Sequence, residues 1–389
     1  MKKTIAIIGC TGSIGTQAID VLLHHPDYFD LQLITCHHQV EKLQKIHADF
    51  PGVHLGLHDS TLFSSLPQDI LAGEDEISDW IIAHKIQLVL IASSSLETAT
   101  ILFKILPSAE KVALSSKEVI ILSGSLGLIT PLWREKIIPV DSEHVAIHQL
   151  LRHSNREQIR EVILTASGGP FYSKTPHPDF DRITPAMALQ HPTWQMGKKV
   201  TIDSATLANK GIELLEAYYL FSLRPEQLNV VIHPQSIIHA MVQYLDGSLV
   251  AQMAYPDMRL PIAYALFYPQ IPELPYIKRI ETDAFPSLNF LSYPATDIPL
   301  VRLALDCLGE NSLKPLWYII LDEIAVQAFL NQTIRFADIQ DFLCFGIQEM
   351  DCLYSYQELH SSQTDLSVLI SLLQQTSQRL LNQFMKQVV

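Results

Sequence analysis

Two carboxylates and an imidazole follow a short apolar run in the middle of the chain. The run Ile137–Val140 predicts a buried strand, and Asp141, Glu143 and His144 come directly after it. Side chains alternate between the two faces of a strand, so Asp141 and Glu143 are expected to point the same way. Like charges at such a short distance repel each other unless a cation lies between them. The sequence therefore predicts that this segment binds a cation.

A second group of polar and charged residues lies further along the chain, at Asn209, Lys210 and Glu213. If the chain is helical from Leu207 onward, Asn209 and Glu213 share a face, and Lys210 lies beside Glu213. Taken alone, Lys210 and Glu213 are typical of an ion pair on an exposed helix, worth roughly a few tenths of a kcal/mol. Their neighbours favour a different use.

The residues around this pair have the types that bind a phosphate group and a divalent cation. Ser204 precedes the pair, and Ser167 opens a Ser-Gly-Gly turn whose backbone N–H groups suit an anion. Glu213 adds a third carboxylate to Asp141 and Glu143. Three oxygen ligands, with room for water and substrate, suit Mg²⁺ or Mn²⁺ and not structural zinc.

A glycine-rich turn, G-C-T-G-S-I-G over Gly9–Gly15, joins the first expected strand to the first expected helix. Glycines at this place allow a tight turn and a close approach of the backbone to a pyrophosphate at a helix N-terminus. The spacing GxxGxxG differs from the usual GxGxxG, and a glycine-rich turn that binds nothing is the alternative. The strand before it and the helix after it favour a dinucleotide.

The end of the second expected strand tests which dinucleotide is bound. NAD-dependent proteins usually place an Asp or Glu there to hold the ribose 2′-hydroxyl. This chain has His37, His38 and Gln39 instead, so no carboxylate repels a 2′-phosphate, and two imidazoles are available to attract one. We therefore predict a preference for NADPH over NADH. A solvated loop without a role in binding is the alternative.

Short apolar runs alternate with amphipathic stretches in the first part of the chain, as in a doubly wound sheet. We expect a Rossmann-like domain over residues 1–150, with no assignment for residues 51–79. The expected strands are Thr4–Ile8, Leu31–Thr35, Leu88–Ala92, Val112–Ser115 and Ile137–Val140, and the expected helices are Thr16–His24 and Glu97–Leu106.

The rest of the chain completes an α/β protein of three domains. Residues 151–270 predict a central α+β catalytic domain with a sheet and a mobile loop. The Pro-rich stretch 256–298 predicts little regular structure, with a linker over 271–298, and residues 299–389 predict a helical bundle. The expected strands are Glu161–Ala166, Leu228–Ile232, Ile237–Tyr244 and Leu249–Ala254, and the expected helices are Ile212–Phe221, Leu300–Leu308, Glu323–Leu330, Phe336–Met350 and Leu366–Met385.

Composition argues against several classes of partner. The formal charge of −14 at pH 7 argues against a nucleic-acid groove and an anionic membrane surface. No stretch approaches the ~20 apolar residues of a spanning helix. The five cysteines are odd in number and form no C-x-x-C pair. We therefore expect a reduced, cytoplasmic protein without nucleic-acid or membrane partners.

Six motifs in chain order resemble the 1-deoxy-D-xylulose 5-phosphate reductoisomerase family. They are G-C-T-G-S-I-G, V-D-S-E-H, S-G-G-P-F, H-P-T-W-x-M-G, D-S-A-T-x-x-N-K-G-x-E and I-H-P-Q-S-I-I-H, and the similarity extends from Lys3 to about Phe345. The resemblance implies conversion of this sugar phosphate to 2-C-methyl-D-erythritol 4-phosphate, a step of non-mevalonate isoprenoid synthesis. It also implies NADPH, a divalent metal and a homodimer.

The resemblance assigns roles to individual residues. It assigns the metal to Asp141, Glu143 and Glu213, where a Lewis acid stabilises charge that develops on the sugar oxygens. Trp194 falls in the loop that closes over substrate in the family, and His239 matches a functional histidine. His144 is a candidate to orient a metal ligand. The implied substrate contacts are Lys117, Ser142, Ser167, His191, Ser204, Asn209 and Lys210, and the implied cofactor contacts are Thr11, Gly12, Ser13, Ile14, Glu118 and Gly197.

Four departures from the family pattern are visible in this chain. They are His37-His38-Gln39 for Gly-x-Asn, Ser116-Lys117-Glu118 for Asn-Lys-Glu, Ser93-Ser94-Ser95 for a Gly/Ala cluster, and Asp322-Glu323 for Asn-Glu. The first three touch the predicted cofactor side, where Ser116 and the segment His37–Gln39 are candidate contacts. None of the four touches a predicted metal ligand, so the chemistry is expected to be intact and the cofactor contacts to differ.

Two other functions are compatible with parts of this pattern. One is an NADP-dependent dehydrogenase of another phosphorylated hydroxy acid, which has no need of three carboxylates. The other is a non-catalytic nucleotide-sensing protein, which the departures on the cofactor side favour. The full set of acidic and phosphate-binding residues weighs against it, because chemistry alone needs them together.

Overall fold

The computed structural model describes residues 2–59, 62, 70–152, 154–172, 179–191, 194, 196–281, 283–291, 298–356 and 366–388. The chain divides into two compact units. The first consists of Met1–Val119, Ile129–Val145 and Asp257–Ile277, and the second of Ile120–Leu128, Ala146–Pro256 and Lys278–Val389. The sequence predicts a different division, into three domains and a linker (residues 1–150, 151–270, 271–298 and 299–389). Those boundaries stay a prediction. Parts of the expected mobile loop (residues 173–178, 192, 193 and 195) and of the linker (residues 282 and 292–297) lie outside the described residues.

The first unit is built on a seven-stranded parallel sheet in the order β4-β3-β2-β1-β5-β6-β7. The inner strands are apolar runs because helices cover both faces of such a sheet. Its strands are β1 Lys3–Ile8, β2 Phe29–Cys36, β3 His54–Leu57, β4 Ile70–Ala72, β5 Leu88–Ile91, β6 Lys111–Leu114 and β7 Ile137–Pro139. The predicted doubly wound, Rossmann-like fold is confirmed.

Helices join the strands of this sheet, and two of them continue into the second unit. Residues 51–79, which had no assignment, include β3, β4 and the start of a helix. The helices are Ser13–His24, Val40–Asp49, Gly73–Ala83, Thr98–Ile105, Lys117–Ser125, Pro131–Lys136, Ser142–Leu151 and Arg259–Phe267.

The last of these helices corrects the prediction of little regular structure after residue 256. Residues Pro261–Phe267 are buried, and the helix packs against Ser13–His24 in the core of the first unit. Pro261 lies in the first helical turn, where a backbone N–H has no helical partner, so it does not interrupt the helix. Arg259 anchors the helix, since its guanidinium lies 2.7 Å from Asp257 and 3.1 Å from Asp20.

The second unit holds a mixed four-stranded sheet in the order β11-β10-β8-β9. β8 and β9 are parallel, whereas β10 is antiparallel to both β8 and β11. The strands are β8 Ile159–Ala166, β9 Leu228–Ile232, β10 Ile238–Tyr244 and β11 Leu249–Met253. A hairpin at Asp246-Gly247 joins β10 to β11, with Gly247 at a φ of 89°.

Helices make up the remainder of the second unit. The helices Lys198–Thr206 and Ala208–Phe221 are separated by Leu207, a buried residue with a φ of 62°. The other helices are Pro185–Ala188, Pro299–Cys307, Lys314–Leu330, Asp338–Leu353 and Leu366–Val388. The predicted helices at the end of the chain are thus confirmed, with shifted ends. Among the described residues, no helix is both long and apolar enough to cross a bilayer.

Candidate active site

The glycine-rich turn lies where the strand order of the first sheet reverses, between β1 and β5. Ligands of doubly wound sheets bind at this switch point. Gly9 has a φ of 85°, which favours glycine, and a Cβ on Gly15 would lie 2.3 Å from the Gly9 carbonyl oxygen. A Cβ on Gly12 would meet nothing closer than 3.5 Å. The turn is thus tightly packed at its two ends and has room at Gly12, as a phosphate site requires.

Neutral groups hold this turn against the sheet. The Thr35 carbonyl accepts hydrogen bonds from the N–H groups of Gly9 and Cys10 at 3.1 and 2.8 Å. The Thr35 hydroxyl accepts a further bond from Gly9 N–H at 3.2 Å and lies 2.9 Å from His58 Nε2. Burial, and next the nearby His37, lowers the pKa of His58 to about 4. A neutral His58 therefore supports the turn, a role that the sequence pattern did not indicate.

The remaining cofactor candidates of the first unit lie on segments after β2 and β6. His37 and His38 are exposed, and their Nδ1 atoms lie 3.3 Å apart. Ser116 is fully buried, and its hydroxyl accepts a bond from Val119 N–H at 3.2 Å, so it caps the helix Lys117–Ser125. Ser116 also donates to Glu118 at 3.3 Å. Thr11, Gly12, Ser13, Ile14 and Gln39 lie in the turn or at the start of the following helices.

Asp141 and Glu143 lie close together, but not because they alternate along a strand as predicted. β7 ends at Pro139, and Ser142 begins a helix, so the prediction that both carboxylates extend a strand is wrong. Asp141 caps the helix, since its carbonyl accepts from Val145 N–H at 2.9 Å and its carboxylate accepts from Glu143 N–H at 3.1 Å. Carboxylate oxygens of Asp141 and Glu143 lie within 4.8 Å of each other. Pairing of the two acids is therefore set by a helix cap.

Cationic and polar groups surround this pair of acids. Lys117 Nζ lies 2.9 Å from Asp141 Oδ2, and the buried His144 Nδ1 lies 3.5 Å from Asp141 Oδ1. Burial opposes ionisation of Asp141, yet Lys117 and then His144 hold its pKa well below the usual value. Ser142 donates a hydrogen bond to the Glu143 carboxylate. These contacts favour the ionised form of Asp141, which is the form that a metal ligand requires.

In the second unit, a chain of contacts connects four candidates around the Ser-Gly-Gly turn. Ser167 Oγ lies 3.1 Å from His191 Nε2, and Trp194 N–H donates to His191 Nδ1 at 2.9 Å. His191 is therefore neutral, with its proton on Nε2, and burial lowers its pKa. The Trp194 ring centroid lies 6.4 Å from that of His239, whose strand is fixed by a bond from Thr165 Oγ1 to its carbonyl at 3.1 Å.

Ser204 lies against the same turn. Gly169 has a φ of 55°, and a Cβ there would lie 2.5 Å from the Ser204 carbonyl oxygen, so only glycine allows this approach. Ser204 is nearly buried at the C-terminal part of the helix Lys198–Thr206. Gly197 caps the start of that helix, where its carbonyl accepts from Thr201 N–H at 3.0 Å. The predicted contact of Gly197 with the cofactor stays a prediction.

The helix Ala208–Phe221 carries the third predicted acid. Asn209 and Lys210 both donate hydrogen bonds to the Glu213 carboxylate. Lys210 is 4% exposed and Glu213 is 1% exposed, so the pair is not the exposed surface pair that its spacing alone suggests. The predicted proximity of the three side chains is confirmed. Burying such charges is stable only when they are paired and hydrogen-bonded.

One buried charged cluster was not predicted. Lys199 Nζ lies 2.7 Å from Asp203 Oδ2 and 2.8 Å from Asp322 Oδ2, and both carboxylates are essentially buried. Lys199 and Asp203 lie four residues apart, which is a signal for a helical ion pair. Asp322 is distant in sequence, so only its departure from the family pattern marked it. The cluster joins the helix of Ser204 to the helix Lys314–Leu330.

The turn at the switch point of the doubly wound sheet, together with the paired carboxylates and lysines of each unit, is typical of a nucleotide-dependent oxidoreductase. Sequence profiles make the assignment narrower. Residues 5–124 match the profile of 1-deoxy-D-xylulose 5-phosphate reductoisomerase, and residues 137–221 and 253–375 match profiles of C-terminal domains of that enzyme. The chain belongs to the 1-deoxy-D-xylulose 5-phosphate reductoisomerase family.

Relatives and solved structures agree with this assignment. The reductoisomerase of Sulfurihydrogenibium sp. (strain YO3AOP1) is 38% identical over 347 residues, which cover 89% of this chain and 91% of that protein. That of Clostridium kluyveri is 38% identical, covering 92% and 94%. The Zymomonas mobilis enzyme in complex with NADPH superposes with a TM-score of 0.84 at 29% identity over 99% of both chains. A reductoisomerase complex with NADPH, fosmidomycin and magnesium gives 0.86 at 28% identity, also over 99% of both chains.

Proposed function

We propose that this enzyme rearranges 1-deoxy-D-xylulose 5-phosphate and reduces the product to 2-C-methyl-D-erythritol 4-phosphate, with NADPH and Mg²⁺ or Mn²⁺. The paired carboxylates of Asp141 and Glu143 carry the proposal, since an ordinary dehydrogenase has no use for them. Family relatives with bound NADPH and magnesium support the same cofactors. NADPH supplies the hydride when bound.

Asp141, Glu143 and Glu213 are the proposed metal ligands. All three are oxygen donors, as Mg²⁺ and Mn²⁺ prefer. When bound, the metal supplies a Lewis acid for the negative charge that develops on the sugar oxygens. Lys117 already neutralises Asp141, and Lys210 already neutralises Glu213. Two of the three acids are therefore held in place by a lysine.

The sugar phosphate is proposed to contact two sets of candidate side chains, one for its phosphate and one for its hydroxyls. Lys210, Asn209, Ser204 and Ser167 have the donors for its phosphate, and Lys117 and Ser142 have donors for its hydroxyls. His191 is held by Ser167 and Trp194, which orients its ring. Trp194 and His239 cover the substrate and exclude water from the reacting carbons.

The cofactor is proposed to place its pyrophosphate on the turn Thr11–Ile14 at the start of a helix. The segment His37–Gln39 is proposed to meet the adenosine ribose, and Ser116 with Glu118 and Gly197 to contact the rest of the cofactor. These assignments keep the residues predicted from the sequence.

An assay of NADPH oxidation with 1-deoxy-D-xylulose 5-phosphate tests the proposal, with the product identified by NMR. We expect turnover with Mg²⁺ or Mn²⁺, none in the presence of a chelator, and a branched product. A linear product would favour a dehydrogenase of a phosphorylated hydroxy acid. Binding of nucleotide without turnover would favour a nucleotide-sensing protein.

We further propose a homodimer through the edge strand β11. Leu249 and Val250 on this strand and Leu245 in the adjoining hairpin are 51%, 44% and 67% exposed. An exposed apolar edge is suited to pair with a second chain. Light scattering should give twice the chain mass, and Leu249→Lys with Val250→Lys should halve it, whereas Leu23→Lys on a helix should not. A monomeric wild type would contradict the proposal.

The remaining proposal concerns location. All five cysteines are free, and three of them are buried. Unpaired thiols in a packed core suit a reducing compartment. We propose a cytoplasmic enzyme, which cell fractionation would test.

A further inference from the structure

Lys42 lies at the glycine-rich turn Gly9–Gly15, and the sequence pattern gave this lysine no role. It lies in the first turn of the helix Val40–Asp49, which follows β2. Its ammonium donates a hydrogen bond to the Thr11 carbonyl oxygen at 2.5 Å, across 31 positions of sequence. A basic side chain from the second crossover thus reaches back to the turn of the first.

The orientation of this helix is fixed by packing. Leu43 is 1% exposed and belongs to the core of the first unit. Leu43 N–H donates to the Gln39 carbonyl at 3.0 Å, which closes the first helical turn directly after His37 and His38. With Leu43 directed inward, the neighbouring Lys42 is exposed and reaches the turn. Its contact with Thr11 uses one of the three donors of the ammonium group, and two remain.

The place of Lys42 matches one part of a dinucleotide. In a doubly wound fold the pyrophosphate occupies the helix N-terminus at the first turn, and the adenosine ribose lies at the end of the second strand. The ammonium of Lys42 lies against the turn but belongs to the segment after the second strand. In such a fold, a cation at this place would face the 2′-position of the ribose, which is the position that distinguishes NADPH from NADH.

The two histidines are a weaker source of positive charge. The 3.3 Å contact between the Nδ1 atoms of His37 and His38 is a hydrogen bond only if one nitrogen accepts. An accepting nitrogen carries no proton, so the pair holds one positive charge at most. Lysine stays charged throughout the physiological range.

We propose that Lys42 is the residue that selects NADPH, by binding the 2′-phosphate while it remains against Thr11. This inference rests on the proposed use of NADPH and names the chain's own specificity residue. His37, His38 and Gln39 then shape the ribose site, and Lys42 provides its fixed charge. The departure from the family pattern after β2 is compensated by a lysine from the next helix.

The test compares two ligands that differ only in the 2′-phosphate, 2′,5′-ADP and 5′-AMP, by calorimetry on the full chain without substrate. Lys42→Met should weaken 2′,5′-ADP by about 10- to 100-fold, as expected for one charge-assisted contact, and change 5′-AMP by less than about twofold. Lys42→Arg should keep the preference. Lys45→Met, an exposed lysine on the same helix, is the matched control and should change neither ligand.

Several results would overturn the inference. Equal weakening of both ligands would mean that Lys42 shapes the turn and does not read the phosphate. An unchanged affinity for 2′,5′-ADP, or a loss seen only in His37→Ala with His38→Ala, would place the charge elsewhere. A wild-type chain that binds 5′-AMP and 2′,5′-ADP equally would contradict the proposed NADPH dependence itself. Thermal unfolding of Lys42→Arg and Lys45→Met checks that the fold is retained.

Discussion

The glycine-rich turn Gly9–Gly15 and the helix pair Lys198–Thr206 and Ala208–Phe221 hold their candidate ligand-binding groups in place by opposite means. At the turn, backbone N–H groups, the Thr35 hydroxyl and a neutral His58 do the positioning, and the charged Lys42 is exposed. In the helix pair, the buried Asp203 and Glu213 pair with Lys199 and Lys210, and Lys199 also pairs with the buried Asp322 of the helix Lys314–Leu330.

The difference follows from what each region must supply. A pyrophosphate carries its own charge and needs N–H donors in the right geometry, which glycines and a helix N-terminus provide. A site for a metal and a phosphorylated sugar needs fixed charges, and each buried charge requires a partner. Three of the four departures from the family pattern fall in predicted cofactor segments, and the fourth, Asp322, joins a buried charged cluster.

The largest effect is expected where a charge is the ligand itself. Asp141→Asn or Glu213→Gln should abolish turnover, a loss above about 10³-fold, because the proposed metal loses an anionic donor. Affinity for NADPH should stay within about twofold, since the cofactor is proposed to bind through other groups. Glu226→Gln, an exposed acid of the second unit, is the control. Full activity in either variant, or in a chelator, would refute the metal assignment.

The next effect concerns stability and separates buried charge from exposed charge. Lys199→Met removes the ammonium that Asp203 and Asp322 share, and should lower the free energy of unfolding of the second unit by about 3–5 kcal/mol. Lys198→Met, at the exposed neighbouring position, should change it by less than about 0.5 kcal/mol. Urea denaturation measures both. Equal stability of the two variants would show that the cluster contributes no net pairing energy.

A smaller effect is expected for the phosphate contact of Lys210. Lys210→Ala should raise the KM for the sugar phosphate by a factor that corresponds to roughly 1.5–3 kcal/mol, as for a charge-assisted bond. Binding of the dephosphorylated sugar should hardly change. The structure also pairs Lys210 with Glu213. Equal weakening of both ligands would therefore show that Lys210 only positions Glu213.

Local patterns in the sequence predicted much of the fold and of the site. The apolar runs located β1, β2, β5, β6 and β7 because parallel strands are buried on both faces. The spacing of Asn209, Lys210 and Glu213 predicted their contacts because helical neighbours are set by the backbone. Both kinds of pattern depend only on residues close in the chain.

The sequence predictions failed where contacts between distant parts of the chain determine the structure. The proximity of Asp141 and Glu143 was attributed to a strand, whereas the start of a helix produces it. An Asp after an apolar run is equally typical of a helix cap. The helix Arg259–Phe267 was missed because a proline in a first turn resembles a proline that breaks a helix. The contacts of Lys42 with Thr11 and of Lys199 with Asp322 join residues 31 and 123 positions apart, which no local pattern reveals.

The smallest effect tests whether the turn Gly9–Gly15 is stabilised by an uncharged histidine, His58. Burial lowers the pKa of His58 from 6.5 to about 4, and the His58 Nε2 atom lies 2.9 Å from the Thr35 hydroxyl that holds Gly9. Because the folded pKa is lowered, the unfolded chain takes up the proton first as the pH falls. The contribution to stability is therefore full above pH 6.5 and is lost progressively between about 6.5 and 4.

This shift corresponds to a loss of about 2 kcal/mol in the free energy of unfolding of the first unit between pH 7 and pH 5. His58→Gln keeps an acceptor for Thr35 and stays neutral, so it should reduce the pH dependence by that amount. His84→Gln, an exposed histidine of the same unit, should leave the pH dependence unchanged. If His58→Gln and wild type lose stability equally, His58 is protonated in the folded chain. The turn would then rest on a charged group, and its contrast with the helix pair would disappear.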